Sequence, residues 1–281
     1  MVSSHGAPLP SSESVPIFAG PRWRGLCCAG VFLAGVAKRG RGDRWASLSE
    51  ENTHAEGRLQ ARPAVGKAAA ERPGGLRPLG SGVARGSYRN GYLYVPTTYR
   101  PESPAPLVLL HGVGEDARDG LDLLRGQADA VGLVLLALSS RGPTWDLIVG
   151  RGRYGPDIAA IDRALDRTFS SYAVDPARVA VGGYSNRASY ALSLGITNGE
   201  LFTHAVAFSP GFLAPAGQAG FPHIFVSHGT RDGWLPIEWC SRRIVPQLKR
   251  DGYDITYREF GGGHVVPPEI GREATHWFAA G

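Results

Sequence analysis

The sequence predicts an α/β protein, a mostly parallel central sheet with helices on both faces. Three observations carry that expectation. Short apolar runs alternate with segments of helical spacing from about residue 76 onward. Four of those runs end in turns bearing Ser, His or Asp, which puts reactive side chains at strand carboxyl ends, where open α/β sheets hold their ligands. The 281 residues are enough for one large domain with a buried core.

Taken in order, residues 88–95 alternate and open the sheet, and 96–106 form a Pro-rich loop. Pro106–Leu110 is a continuous apolar strand, followed by a loop, a helix over 121–131 and a strand over 133–138. Ile158, Ile161, Leu165 and Phe169 recur at helical spacing, with Asp157, Asp162 and Asp166 marking the wet face. A strand over 179–181 runs into a helix over 188–194. His204–Phe208 and 223–227 are further strands, 237–248 a helix, Ile255–Phe260 an alternating strand and 267–278 the closing helix. No internal repeat is visible.

The charge is unevenly placed. Residues 1–80 carry 11 Lys or Arg against 6 Asp or Glu, so the net +5 belongs to that segment and the remainder is neutral. The basic balance therefore does not point to nucleic acid, since no recognition motif or basic helix accompanies it. Residues 1–75 are rich in Arg, Gly, Ala, Pro and Ser without apolar period, and read as a poorly ordered or leader segment ahead of a domain over 76–281. Within it, 26–37 is an apolar run flanked by Arg22, Arg24, Lys38 and Arg39, too short for a stable membrane span of about 20 residues. It reads either as an export signal ending at Gly35-Val36-Ala37 or as translated leader, which leaves secretion and a cytoplasmic location both open. Cys27, Cys28 and Cys240 form neither a disulfide framework nor a zinc spacing, and Cys240 reads as a buried helix residue or an inert thiol. No phosphate-cradling loop or metal cluster is visible, so no cofactor is expected. Oligomeric state is not legible.

The most specific stretch is Gly182-Gly183-Tyr184-Ser185-Asn186-Arg187, directly after an apolar strand. A strand that breaks into a helix through Gly-Tyr-Ser is the form of a nucleophile elbow, which exposes a Ser hydroxyl to a base. The second strand-end turn holds His228-Gly229-Thr230-Arg231-Asp232, and the last holds Gly261-Gly262-Gly263-His264. The order Ser185, Asp232, His264 is that of an α/β-hydrolase triad. Ser185 would be the nucleophile, His264 the general base and acid, and Asp232 the group that orients the imidazole. The oxyanion hole would be the backbone N–H groups of Asn186 and, from the His111-Gly112-Val113 turn, Val113. Asp254 is a rival for Asp232 but begins its strand, at the wrong end of the sheet. His228 reads as organising the acidic loop and His111 as shaping the oxyanion turn. His204, His223 and His276 read as packing or surface residues, and Asp116, Asp119 and Asp122 as a solvated helix start.

From about Leu76 to the end the chain resembles the bacterial phospholipase/carboxylesterase-type serine esterases of the α/β-hydrolase superfamily, including polyhydroxybutyrate-depolymerase-like members. The resemblance rests on Leu109-Leu110-His111-Gly112, Gly183-Tyr184-Ser185, His228-Gly229-Thr230-Arg231-Asp232 with Leu235-Pro236, and Gly262-Gly263-His264. It implies an α/β-hydrolase fold and a serine carboxylic-ester hydrolase working through an acyl-enzyme. In that family the position of Arg187 is small, usually Gly, and that of Asn186 often Asp or Gln. A side chain two positions past the nucleophile crowds the helix against the sheet; alternatively Arg187 lays its stem over apolar surface and holds its guanidinium in water. The alternatives to an esterase are a non-catalytic or weakly active hydrolase-fold binding protein, with the elbow spoiled by Arg187, and a serine peptidase. About fourteen residues separate the strand ending at Phe208 from the next, too few for a cap domain, so an open site for small-molecule or polymer-borne esters is expected. Trp145, Trp234 and Tyr184 are the candidate substrate-binding residues.

Overall fold

The computed structural model describes residues 53–63, 74–79, 91–99, 106–110, 117–122, 124–142 and 144–280. Eight strands run through them: β1 (Gly75–Pro78), β2 (Tyr92–Val95), β3 (Pro106–Leu110), β4 (Val134–Leu138), β5 (Ala180–Tyr184), β6 (His204–Phe208), β7 (His223–Gly229) and β8 (Ile255–Phe260). They form one sheet in the order β1-β2-β4-β3-β5-β6-β7-β8. β2 is antiparallel to both its neighbours, and every pairing from β4 through β8 is parallel.

The helices are α1 (Ala117–Asp122), α2 (Arg125–Val131), α3 (Asp146–Val149), α4 (Pro156–Ser171), α5 (Asn186–Thr197), α6 (Ser241–Arg250) and α7 (Pro268–Ala280). Every residue of β4 is buried, as expected of a strand covered on both faces. Val134, Leu136 and Leu138 enter one core with residues of α4, α5 and α6, while Leu135 and Ala137 enter the other with residues of α1, α2 and α7. The period-two alternation of a strand thus distributes one apolar run between two layers.

Helix α5 is buried from Arg187 to Thr197, and its polar positions explain how. Ser193 and Thr197 donate their hydroxyls to the carbonyls of Ser189 and Ser193, at 2.7 and 2.8 Å. The same row of hydroxyls accepts from the loop after β6. Gly211 and Phe212 N–H reach Ser189 Oγ at 2.8 and 3.1 Å, Ala214 N–H reaches Ser193 Oγ at 3.0 Å, and Ala216 N–H reaches Thr197 Oγ1 at 3.2 Å. Residues 209–222 contain no helix or strand. Their backbone is fixed by this ladder of side chains, and no cap domain interrupts them.

Several elements differ from the sequence reading. The helix expected over 121–131 is two, α1 and α2. That expected over 237–248 breaks at Cys240, whose φ of −114° and ψ of −106° leave a 3₁₀ turn (Ile237–Trp239) before α6. β1 and α3 carry too few residues for a period to show. Asp157, placed on the wet face of α4, is buried because its carboxylate accepts the N–H groups of Arg141 and Asp146, both at 2.8 Å.

Residues 53–63 fall in the stretch read as poorly ordered, yet they lie against the domain. Leu59 is 1% exposed. Its N–H donates to Asn198 Oδ1 at 2.9 Å, and Asn198 Nδ2 donates back to Gly57 O at 2.8 Å. Gln60 and Ala61 N–H both reach Asp162 Oδ1, at 2.7 and 2.8 Å, so that carboxylate is also covered. The run 26–37, with Cys27 and Cys28, lies outside the described residues. No helix among the described residues is long and apolar enough to cross a membrane.

Candidate active site

β5 ends in a turn that only glycine permits at its third-last residue before the helix. A Cβ on Gly183 would lie 2.5 Å from the carbonyl oxygen of Arg187. The tight turn puts Ser185 in the left-handed region at φ 63°, where a non-glycine residue is strained. Its N–H is anchored to Phe208 O of the neighbouring strand at 2.8 Å. The Ser185 side chain therefore projects from the carboxyl edge of the sheet at the start of α5.

The β7 and β8 turns bring two further side chains to the same edge. Gly229 has no room for a Cβ, because the carbonyls of Gly262 and Gly263 close over it. Thr230 and Arg231 N–H donate to Phe260 and Gly262 carbonyls, each at 2.8 Å, clamping the two turns together. His264 then lies with Nε2 2.8 Å from Ser185 Oγ and Nδ1 2.6 Å from Asp232 Oδ2. Tyr184 packs its ring 4.8 Å from the imidazole and donates its hydroxyl to His264 O at 2.5 Å.

The Asp232 carboxylate is fully buried and heavily bonded. Oδ1 accepts from Trp234 and Leu235 N–H at 2.9 and 2.8 Å. Oδ2 accepts from His264 and lies 3.3 Å from His228 Nε2. Burial pushes this carboxyl up, but the hydrogen bonds from His228, His264 and Leu235 outweigh it and hold the group well below the ordinary carboxylate range. Asp232 is therefore an anion and accepts the proton on His264 Nδ1. That leaves the Nε2 lone pair facing the Ser185 hydroxyl.

The structure brings Ser185, Asp232 and His264 together as the sequence order implies. Asn186 opens α5, so its N–H is one of the first-turn donors that have no acceptor within the helix. Val113, His111 and Asp116 lie outside the described residues, as do the side chains of Asp119 and Asp122. Trp234 is 74% exposed beside the Asp232 turn and Tyr184 touches His264, whereas Trp145 is buried against Tyr190 with ring centroids 4.9 Å apart. Trp145 thus fills the core between α3 and α5 and presents no surface to a substrate.

Arg187 does not snorkel into water. It is fully buried, because the first turn of α5 points into the layer occupied by α3 and α4. Burial raises the carboxyl of Asp157, countered in part by the backbone N–H groups of Arg141 and Asp146 and by the charges of Arg141 and Arg187. Asp146, next to Asp157, is raised to about 6 by burial and by its neighbour's charge. The sequence signalled the crowding at 187 but not the acidic surroundings, since Asp157 reads as a surface residue. His228 was read as a loop organiser; its approach to Asp232 and its bond to Ser241, 13 positions away, had no local signal. Cys240 is buried, and His204 packs against Trp277 and Phe278. Among the described residues no group of three His, Cys, Asp or Glu side chains is arranged to hold a metal ion.

The chain matches no protein-family model and no curated protein by sequence. Its fold is similar to solved structures. A crystal structure of esterase PE8 aligns with 23% identity over 67% of this chain and 96% of that one, with a TM-score of 0.57. S-formylglutathione hydrolase from Staphylococcus aureus aligns with 13% identity over 75% and 100%, at 0.56. A truncated carbohydrate esterase from gut microbiota gives 15% identity over 76% and 99%, at 0.58. The sheet order, the helices on both faces and these likenesses make this an α/β-hydrolase fold.

Proposed function

We propose that the protein is a serine carboxylic-ester hydrolase. The observation that carries this is the unbroken hydrogen-bonded line from Ser185 Oγ through His264 to Asp232 Oδ2, at 2.8 and 2.6 Å. Three neighbours of the same fold are named an esterase, an S-formylglutathione hydrolase and a carbohydrate esterase, in keeping with acyl transfer to water.

Ser185 Oγ attacks the ester carbonyl while its proton passes to His264 Nε2. Asp232, already bonded to Nδ1–H, stabilises the imidazolium and keeps the ring aimed. The oxyanion is held by the N–H groups of Asn186 and Val113, and removing one such donor typically lowers turnover about 10²–10³-fold. His264 returns the proton to the leaving alcohol oxygen, leaving an acyl group on Ser185. Water then repeats the sequence in reverse, with His264 as base, and releases the acid.

Nothing caps the site after β6, and Trp234 and Val265 stand 74% and 51% exposed on the two turns that carry Asp232 and His264. Short acyl esters of small or polymer-borne alcohols fit such an open edge better than long buried acyl chains. Arg187 coexists with a formed elbow, because the turn depends on the backbone of 183–187 and the guanidinium lies in the layer behind it. The test is hydrolysis of p-nitrophenyl acetate and butyrate by the full chain beside Ser185→Ala. Turnover that disappears in the Ala variant supports the proposal; equal background rates in two folded proteins would reject it in favour of a non-catalytic binding role.

A further inference from the structure

Behind the triad lies a second histidine whose ring nitrogens both have defined partners. His228, at the end of β7, is fully buried. Its Nε2 is 2.8 Å from Leu235 O and 3.3 Å from Asp232 Oδ2. A carbonyl and a carboxylate only accept, so Nε2 must carry the proton. Its Nδ1 is 2.6 Å from Ser241 Oγ at the start of α6. In the neutral ring Nδ1 is an acceptor, so the Ser241 hydroxyl donates to it and thereby selects the Nε2–H tautomer.

We propose that His228 is a positioning residue of this site: its Nε2–H completes the set of four donors that fix the Asp232 carboxylate, and Asp232 in turn aims His264. The inference rests on reading Ser185, His264 and Asp232 as the ester-hydrolysing triad. The physical reason is rotation. The two backbone N–H groups on Oδ1 fix one oxygen but leave the carboxylate free to swing about it. A second donor on Oδ2, besides His264, limits that freedom, and it is built on a strand rather than a loop. The same His228 proton holds Leu235 O, which ties the 232–235 turn to β7. A line of polar contacts therefore runs from Ser241 through His228, Asp232 and His264 to Ser185, each a hydrogen bond except the 3.3 Å approach of His228 to Asp232.

Two substitutions separate the donor role from simple packing. The Gln side-chain amide reaches the position of an imidazole Nε2, whereas the shorter Asn amide reaches only that of Nδ1. His228→Asn keeps the contact with Ser241 and loses the donor to Asp232; His228→Gln does the reverse. The expected result is a fall of about tenfold or more in kcat for His228→Asn, the size of one lost bond to a charged group. KM for p-nitrophenyl acetate should be little changed, and Gln should recover most of the lost rate.

Equal rates for the two variants would overturn the proposal. Nitrogen-15 NMR of histidine in the wild-type full chain provides a test that needs no variant: His228 should be the Nε2–H tautomer at neutral pH. A ring protonated on Nδ1 alone would overturn it even if both variants failed to fold. That measurement, with the downfield proton signal of the His264–Asp232 bond, is independent of turnover. A wild type that hydrolyses no ester would reject the proposed activity, while these signals would still decide the role of His228.

Discussion

In Asp232→Asn the surrounding hydrogen bonds dictate which way the new amide must point. Trp234 and Leu235 N–H hold Oδ1 at 2.9 and 2.8 Å, so the amide oxygen takes that position. The NH₂ group then occupies the place of Oδ2, 2.6 Å from His264 Nδ1 and 3.3 Å from His228 Nε2. Both ring atoms are donors in the wild type, and a donor facing a donor is repulsive. His264 relieves this by moving its proton to Nε2, where it faces Ser185 Oγ and no longer accepts the nucleophile's proton. A fall of about 10³–10⁴ in kcat is expected, the scale of losing the correct tautomer, with KM little changed because Asp232 is buried beneath the site. The assay is p-nitrophenyl acetate turnover by the full chain, with circular dichroism to establish folding. A folded Asn variant within about tenfold of wild type would refute the tautomer argument. Stability adds a second readout. The folded pKa of Asp232 is depressed, so its contribution is complete above the ordinary Asp value of about 3.9 and is lost as pH falls below it. The stability gap between wild type and Asp232→Asn should therefore be full at neutral pH and narrow in acid.

Two further predictions concern the segments around the site. Leu59→Ala should lower stability by about 2–5 kcal/mol, the range for a buried Leu, and thermal unfolding of the full chain measures it; a change within about 0.5 kcal/mol, typical of a surface position, would show that residues 53–63 do not pack on α4 and α5. Arg187→Gly should lower stability by about 3–5 kcal/mol by emptying a large, fully buried side-chain volume, without raising kcat/KM per folded molecule, whereas a tenfold gain would show that the Arg side chain impedes the elbow.

The sheet was legible where the chain writes period and punctuation together. Val134–Leu138, His204–Phe208 and Ile255–Phe260 are apolar or alternating runs closed by turn residues, and each is a strand. Ser185, Asp232 and His264, which meet at the carboxyl edge of the sheet, were legible as candidates because strand-end turns concentrate Gly beside a reactive side chain. What escaped has a common cause. Asp157 and Asp162 look like solvated positions on α4 because a sequence shows only one element at a time. The first is taken by backbone amides of the loop before α3, the second by residues 60 and 61, roughly 100 positions upstream. Residues 58–63 lack an apolar period because they pack as an extended strap through Leu59 and Ala61, not as a helix or strand. Ser189, Ser193 and Thr197 place hydroxyls in a row along α5, and that row is a covered face, taken by the loop after β6.

A Gly-x-Ser-x-Gly pattern bundles two separate requirements. The first Gly is needed because the helix carbonyl at 187 returns to within contact of the strand, and Gly183 meets that need here. The second small residue is needed only if the space beyond the first helical turn is occupied by something that a long side chain would displace. In this chain Arg187 itself is fully buried there, near enough to Asp157 for its charge to counter part of the rise that burial gives that carboxyl. A buried cation and a buried carboxylate each cost free energy alone, and their attraction offsets part of that cost. The departure from the motif therefore falls on packing behind the elbow and leaves Ser185, with its Nε2 contact at 2.8 Å, in place.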